Sequence, residues 1–437
     1  MSEAVASSAI REAPGLVRYP IARLFSTGEQ LLLHPILVLP ILVWLLGGTP
    51  GQIVWYAIIS GIGAGLAAAS GALVARLPAT ARHTIVGLLA LQGIGVLVAI
   101  AVSLGTSSFG NTTLLTLGAL AYLLITLPSA MLTRISEQNH EYRRAASATV
   151  GGVLPAIVGT TLGAIIIWRL FFIGGLGPDD MIGRLLLAGA LFAAAGSWLA
   201  TWPTLLARQL PHPARPMPTV RWPALRTNRP LQRYSLFQAV RGIAHFADPF
   251  LFVGVLTIIE PGIAWIGGAA LAWALGEAVA RLLAVRAYGA INVRGVFTVS
   301  GTLHAVAYII IAFAADVLGS SLIAERAAGD QWRNWAVVLA ALALGASHRF
   351  ARTGHHAYIR SISSPGTRDL SLTVTGIVVI IFAFAPLVAV RLLESQDLAT
   401  LLQIGAGASI IGLLATGLVV PTYAAPRRPR GAWGMRR

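Results

Sequence analysis

One apolar run of this chain holds Arg241, His245 and Asp248, with Pro249 directly after the aspartate. At 100° per residue the three fall within about 60° of one another on a helix, so one face carries a guanidinium, an imidazole and a carboxylate. Such a set supports proton transfer, ion pairing or recognition of a charged solute. In lipid each charged member costs roughly 2.5–3.5 kcal/mol on insertion scales, which makes them functional candidates by default. A second apolar run holds Glu29, followed by His34 and Pro35. Ser300, His304 and Tyr308 recur at four-residue spacing in a third, where a cavity face and hydroxyl-mediated helix packing are both open readings. Glu277 and Arg281, also four apart, have the spacing of a salt bridge near a helix end.

The structural reading of the same residues stands beside this. Asp248-Pro249 is the pattern of an N-cap and a first-turn proline restarting a broken helix, and His245 then needs no more than a backbone carbonyl. His348, Arg349, Arg352, His355, His356 and Arg360 cluster at one run's end. Clustered arginines argue against a metal there and for lipid phosphate or helix C-terminal charge matching. No metal site and no cofactor is expected. The chain has no cysteine, which excludes disulfide and thiolate chemistry. It also has no lysine, hence no nucleotide-binding G-x-x-x-x-G-K-[ST] loop, and neither G-x-S-x-G nor H-E-x-x-H occurs, so an enzyme is not expected.

The elements that position these groups are apolar stretches of about 20 residues, each long enough to cross a bilayer as a helix with its backbone internally bonded. They lie near 24–46, 53–75, 84–104, 114–133, 146–170, 184–206, 234–258, 262–285, 295–315, 335–356, 370–391 and 399–420. Charged residues make up 11% of the chain and hydrophobic ones 56%, far from the quarter charged of a soluble protein. Arg169, Arg184, Arg326, Arg333 and Arg391 stand in the odd gaps; the remaining arginines, Arg241 aside, fill the even gaps and both termini. Arginine is retained on the cytoplasmic side, so the pattern predicts an inner-membrane protein with both termini inside. The net charge of +16 then faces anionic inner-leaflet lipid, and nucleic acid is not an expected partner. No removable signal peptide is expected, because the first 20 residues lack a long apolar core. Taking Arg233 as the inner boundary, Arg241, His245 and Asp248 lie roughly 12, 18 and 22 Å deep and straddle the midplane. Trp55, Trp168, Trp198, Trp202, Trp265 and Trp335 fall near span ends, as interfacial anchors do.

Residues 208–233 carry six prolines, Pro211, Pro213, Pro216, Pro218, Pro223 and Pro230, and read as an extended connector. This predicts an N-terminal six-helix bundle over 1–207, a cytoplasmic linker over 208–233, and a C-terminal six-helix bundle with a basic tail over 234–437. The halves echo each other: Gly71 to Arg76 leaves the second span and Gly276 to Arg281 leaves the eighth. Leu24-Phe25 and His34-Pro35 in span one are matched by Leu236-Phe237 and Asp248-Pro249 in span seven. Repeats of this kind place a substrate site where the two bundles meet.

On these residues the chain resembles the major facilitator superfamily over nearly its whole length. Gly71, Leu73, Arg76 and Arg82 fit that family's inner-loop gating motif, while Ala75 stands at the motif's aspartate and Pro78 at its second glycine. The second copy keeps Gly276, Glu277 and Arg281, with Ala280 at the acidic position. The resemblance implies an all-α integral membrane fold of twelve transmembrane helices in two pseudo-symmetric six-helix bundles. It implies a secondary transporter working by alternating access. Together with the buried charges, the expectation is a monomer moving a small organic solute, with a proton or other ion as partner and export as the expected direction. Helices one and seven approach each other in that fold, which predicts that Glu29 pairs with Arg241 or shares a ligand with it. Glu29, His34, Arg241, His245 and Asp248 are the expected substrate or proton site, and Ser300, His304 and Tyr308 a secondary set. The missing motif aspartates support a competing expectation, a non-transporting scaffold or accessory subunit of a membrane complex.

Overall fold

The computed structural model describes residues 18–74, 81–138, 153–172, 175–206, 227–259, 264–287, 292–315, 331–363 and 367–422. Among them the only regular elements are helices: α1 (18–32), α2 (Leu39–Leu45), α3 (Pro50–Val74), α4 (Ala81–Leu104), α5 (Asn111–Gln138), α6 (Val153–Phe172) and α7 (Pro178–Leu206). They continue with α8 (Arg229–Ala244), α9 (Asp248–Gly254), a π-helical turn (Val255–Ile259), α10 (Ala264–Ala287), α11 (Val293–Ala314) and α12 (Gln331–Ile362). The last are α13 (Arg368–Phe382), α14 (Pro386–Leu393) and α15 (Leu398–Leu414) with a 3₁₀ turn (Ala415–Leu418).

Among the described residues, ten helical runs are long and apolar enough to cross a membrane. The expected first and tenth spans fall outside that set for different reasons. The first is cut into α1 and α2 by a break at 33–38, leaving neither piece long enough. The tenth, α12, spends its second half on the His348-to-Arg360 cluster. Trp55, Trp198 and Trp335 are 53%, 50% and 56% exposed on the outside of the helices, where indoles meet an interface.

Proline sets the breaks. Pro35 cannot donate to the α1 ladder, and the residue before it is pushed out of helical geometry. His34 turns there, and its Nδ1 accepts the Ile36 N–H at 3.3 Å. The expected break at Asp248-Pro249 falls slightly earlier, at 245–247, because the ring of Pro249 excludes the carbonyl four residues back, that of His245. Asp248 is the first residue of α9 and caps nothing; Ala247 holds the N-cap position. Its carboxylate is therefore free for other partners.

Helix ends gather at two faces. At the arginine-rich end the Val293 N–H donates to the Thr422 carbonyl at 2.9 Å, and Asn228 Nδ2 to the Ile362 carbonyl at 3.4 Å. At the opposite end Asn111 Nδ2 donates to the Leu46 carbonyl at 2.9 Å, and Thr106 Oγ1 to Asp180 Oδ1 at 2.8 Å. Across the middle, α3 packs on α13 and α6 on α10. Glycines allow both crossings: a Cβ on Gly65 would sit 2.6 Å from the Gly376 carbonyl oxygen, and one on Gly267 2.9 Å from Cα of Trp168. Membrane helices associate by such close backbone approach, since lipid offers no hydrophobic drive.

Beyond their breaks the first and seventh spans are sealed, unlike the eleventh, whose break at 383–385 separates α13 from α14. Leu37, Val38, Leu39, Ile41, Leu42 and Val43 are 0% exposed, as are Leu251, Phe252 and Val253. Before the breaks Gln30 is exposed, and near the break His348 has 45% of its side chain open. Accessible surface near the break of span one therefore lies on the arginine-rich side, at Gln30 and His348, and the segments beyond both breaks are closed.

Candidate functional site

Asp248 and four other side chains form a hydrogen-bonded relay. His245 Nδ1 lies 2.6 Å from Asp248 Oδ2, across the turn joining α8 to α9. From α11 come His304 Nε2, 3.1 Å from Asp248 Oδ1, and the Tyr308 hydroxyl, which donates to the same oxygen at 2.8 Å. Arg241 Nε, one turn back on α8, donates to His245 Nε2 at 3.3 Å. A guanidinium has no acceptor, so His245 Nε2 must accept and its proton resides on Nδ1, facing the carboxylate. Asp248 thus takes three donors on two oxygens, as an ionised carboxylate does, with Arg241 as counter-charge through the ring. The imidazoles of His245 and His304 face each other at 4.0 Å.

Beside the relay is a cavity of about 20 Å³, lined by Phe237, Arg241, His245, Ser300, His304 and Gly412 among others, with room for one water or small ion. His245, Asp248 and His304 also present one ligand atom each within 4.8 Å of one another, as metal ligands do. The arginine against His245 and the 2.6 Å contact between ligand atoms favour proton transfer over a metal.

A second group forms where the break of span one meets α10 and α12. The buried ring of His34 lies 4.4 Å from Trp273 and 5.5 Å from His348. One turn on from Trp273, Glu277 accepts from Arg281 Nη2 at 2.7 Å and has His348 Nδ1 at 3.6 Å. A Cβ on Gly276 would come within 2.1 Å of the Leu342 carbonyl oxygen, so α10 and α12 meet backbone to backbone beside this group.

The sequence-predicted residues therefore divide. Arg241, His245 and Asp248 join His304 and Tyr308; His34 joins Glu277 and Arg281. The expected Glu29–Arg241 pair does not form. Glu29 is buried and accepts from Ser129 Oγ of α5 at 2.7 Å, while Arg241 turns to His245. The reason is the facing of α1, which sets Glu29 against Ser129 of its own half and, across the halves, toward Arg352 rather than Arg241. Ser300 is drawn from the relay by packing: its hydroxyl donates to the Ser347 carbonyl, and Ser347's to the Ser300 carbonyl, both at 2.8 Å. Gly71 lies in the last turn of α3 and Arg82 in the first of α4, and Arg76 is outside the described residues, as are residues 208–226 of the connector. Sequence reasoning did not single out Trp273, Ser129 or Gln30. Trp273 carried a signal, as a tryptophan in mid-span, four residues before Glu277.

An all-helical chain with these spans, two of them broken beside buried charge, has the architecture of a multi-pass membrane protein. Among solved structures it is similar to a mutant form of the nucleoside transporter NupG, with a TM-score of 0.61 at 14% identity over 93% of this chain and 98% of that one. An auto-inhibited POT family peptide transporter matches with a TM-score of 0.60 at 13% identity, covering 94% of this chain and 98% of that one. A POT family transporter in complex with a thioalcohol-conjugated peptide gives 0.56 at 14% identity, covering 92% and 95%. At these identities the likeness is one of fold. No protein-family profile matches the chain, and no curated protein matches it by sequence.

Proposed function

We propose that the chain is a secondary transporter that moves a small organic solute by alternating access, coupled to a proton. The observation that carries this is that the first and seventh spans both break at mid-length, are sealed beyond the breaks and hold ionisable groups at them, with Gln30 accessible before the first break. Broken helices at mid-membrane free backbone groups for solute and ion. The contacts of α3 with α13 and of α6 with α10 support division into two bundles near the expected 1–207 and 234–437, with the end of the 208–233 connector, from Arg229, already forming the start of α8. Exchanging the halves turns one contact into the other, since the second span corresponds to the eighth and the fifth to the eleventh. The arginine-rich end is the cytoplasmic one in this reading, because cations are retained there.

Two groups are suited to the proton. Glu29 is an intramembrane carboxylate with a hydroxyl, not a cation, as its hydrogen-bond partner. The Asp248 relay has two imidazoles on one carboxylate, so a proton taken by either ring changes the partners of the other. Export is the direction in which a solute loads from the face open here.

The test is counterflow in proteoliposomes with a labelled solute library that includes nucleosides and short peptides. Protein-dependent exchange of at least one solute, accompanied by proton movement, is expected. No exchange, together with a stable partner protein that co-purifies, would instead establish the scaffold role that Ala75 and Ala280 favour.

A further inference from the structure

Four arginines from three helices converge at the open end: Arg23 on α1, Arg281 on α10, and Arg349 and Arg352 on α12. Arg23 and Arg352 both act on the charge of Arg281, and Arg281 and Arg352 on that of Arg349. Glu277 acts on Arg281 and Arg349 and Glu29 acts on Arg352, so four cations meet two acids. Arg281 is the most enclosed, at 3% exposure. It commits Nη2 to Glu277, while its Nε and Nη1 are buried without a hydrogen-bond partner. Arg349 Nε is buried and unpartnered as well. Arg352 Nη1 reaches across to the neutral Oε1 of Gln30.

Burying guanidinium N–H groups without acceptors is costly, and clustering like charges adds to the cost. Helix termini and lipid attraction explain exposed arginines, not one that is enclosed with two idle donors. Guanidinium forks match tetrahedral oxyanions, and an excess of positive charge selects a ligand carrying more than one negative charge. From this geometry we infer that Arg281, Arg349, Arg352 and Arg23 form a binding site for a phosphate group, with Glu277 as an internal competitor for Arg281. The phosphate belongs either to an anionic lipid headgroup or to a soluble phosphate ester entering from the open end. The site stands whether or not the chain transports a solute.

The intact chain in phosphatidylcholine nanodiscs would be titrated calorimetrically with inorganic phosphate and with phenyl phosphate, at fixed ionic strength against chloride. In parallel, native mass spectrometry would count phosphatidylglycerol retained by protein taken from anionic nanodiscs. Saturable binding of the soluble anions assigns the site to a phosphate ester, and retained lipid assigns it to a headgroup; either supports the inference. In both cases R281Q and R349Q should weaken binding roughly tenfold or more, the scale of a charge-assisted hydrogen bond. E277Q should strengthen it several-fold by releasing Arg281. If R281Q does not fold, R349Q and E277Q carry the test. Absence of both kinds of binding, or binding that none of the variants changes, overturns the site.

Discussion

The Tyr308 hydroxyl offers the cleanest single perturbation of the relay. Tyr308→Phe removes one oxygen and leaves the ring, which is 1% exposed and packed against His304 at 5.2 Å, in place. The lost contact is a 2.8 Å bond to a carboxylate that is itself 6% exposed. Hydrogen bonds to charged groups are worth about 1.5–3 kcal/mol, so the variant should lose stability in that range, one to two decades in the folding equilibrium. Asp248→Asn should cost more, about 3–5 kcal/mol, because it strands the charge of Arg241 and sets an amide N–H₂ against donors. The double variant should fall short of the sum by about 1.5–3 kcal/mol, since the bond can be lost only once. Equilibrium unfolding in detergent–SDS mixed micelles measures all three. Additivity within 0.5 kcal/mol would refute the claim that Tyr308 donates to an ionised Asp248.

Other perturbations follow from the same contacts. Glu29→Gln should abolish the pH dependence of transport while leaving solute exchange intact, read as counterflow at two pH values; an unchanged pH profile removes Glu29 as the proton carrier. Gly276→Ala should cost about 1–3 kcal/mol, because its Cβ would meet the Leu342 carbonyl oxygen at 2.1 Å and force α10 from α12; the mixed-micelle midpoint reports it. Asn292→Ala removes the acceptor of the Gly295 N–H, bonded at 2.7 Å, and should cost about 1 kcal/mol in the same assay.

Much of the framework was legible in the chain, because its signals are local. Each apolar run stated its own helix, and Pro35 and Pro249 stated their breaks. The four-residue steps of Arg241, His245, Ser300, His304 and Tyr308 stated which side chains share a helix face. Spacing cannot say which face of one helix meets which face of another. That is why Glu29 was matched with Arg241, at an equivalent position in the other half, when its partner is Ser129 from its own half. For the same reason Asp248 was read as a possible cap: nothing within α9 announces donors arriving from α11. Arg281 was legible as half of a salt bridge, but its two idle donors depend on the enclosure made by α10 against α12.

The absence of cysteine makes the central claim, a pathway that opens at one end at a time, directly measurable. Gln30→Cys and Leu37→Cys would each introduce a unique thiol, one before the break of span one and one beyond it. A membrane-impermeant maleimide would be applied to inside-out and to right-side-out vesicles. At rest Gln30→Cys should react only in inside-out vesicles and Leu37→Cys in neither. During solute turnover Leu37→Cys should become reactive from the external face as labelling of Gln30→Cys slows. Labelling of Gln30→Cys from the external face at rest, or a Leu37→Cys that stays closed throughout demonstrated solute exchange, would contradict the account.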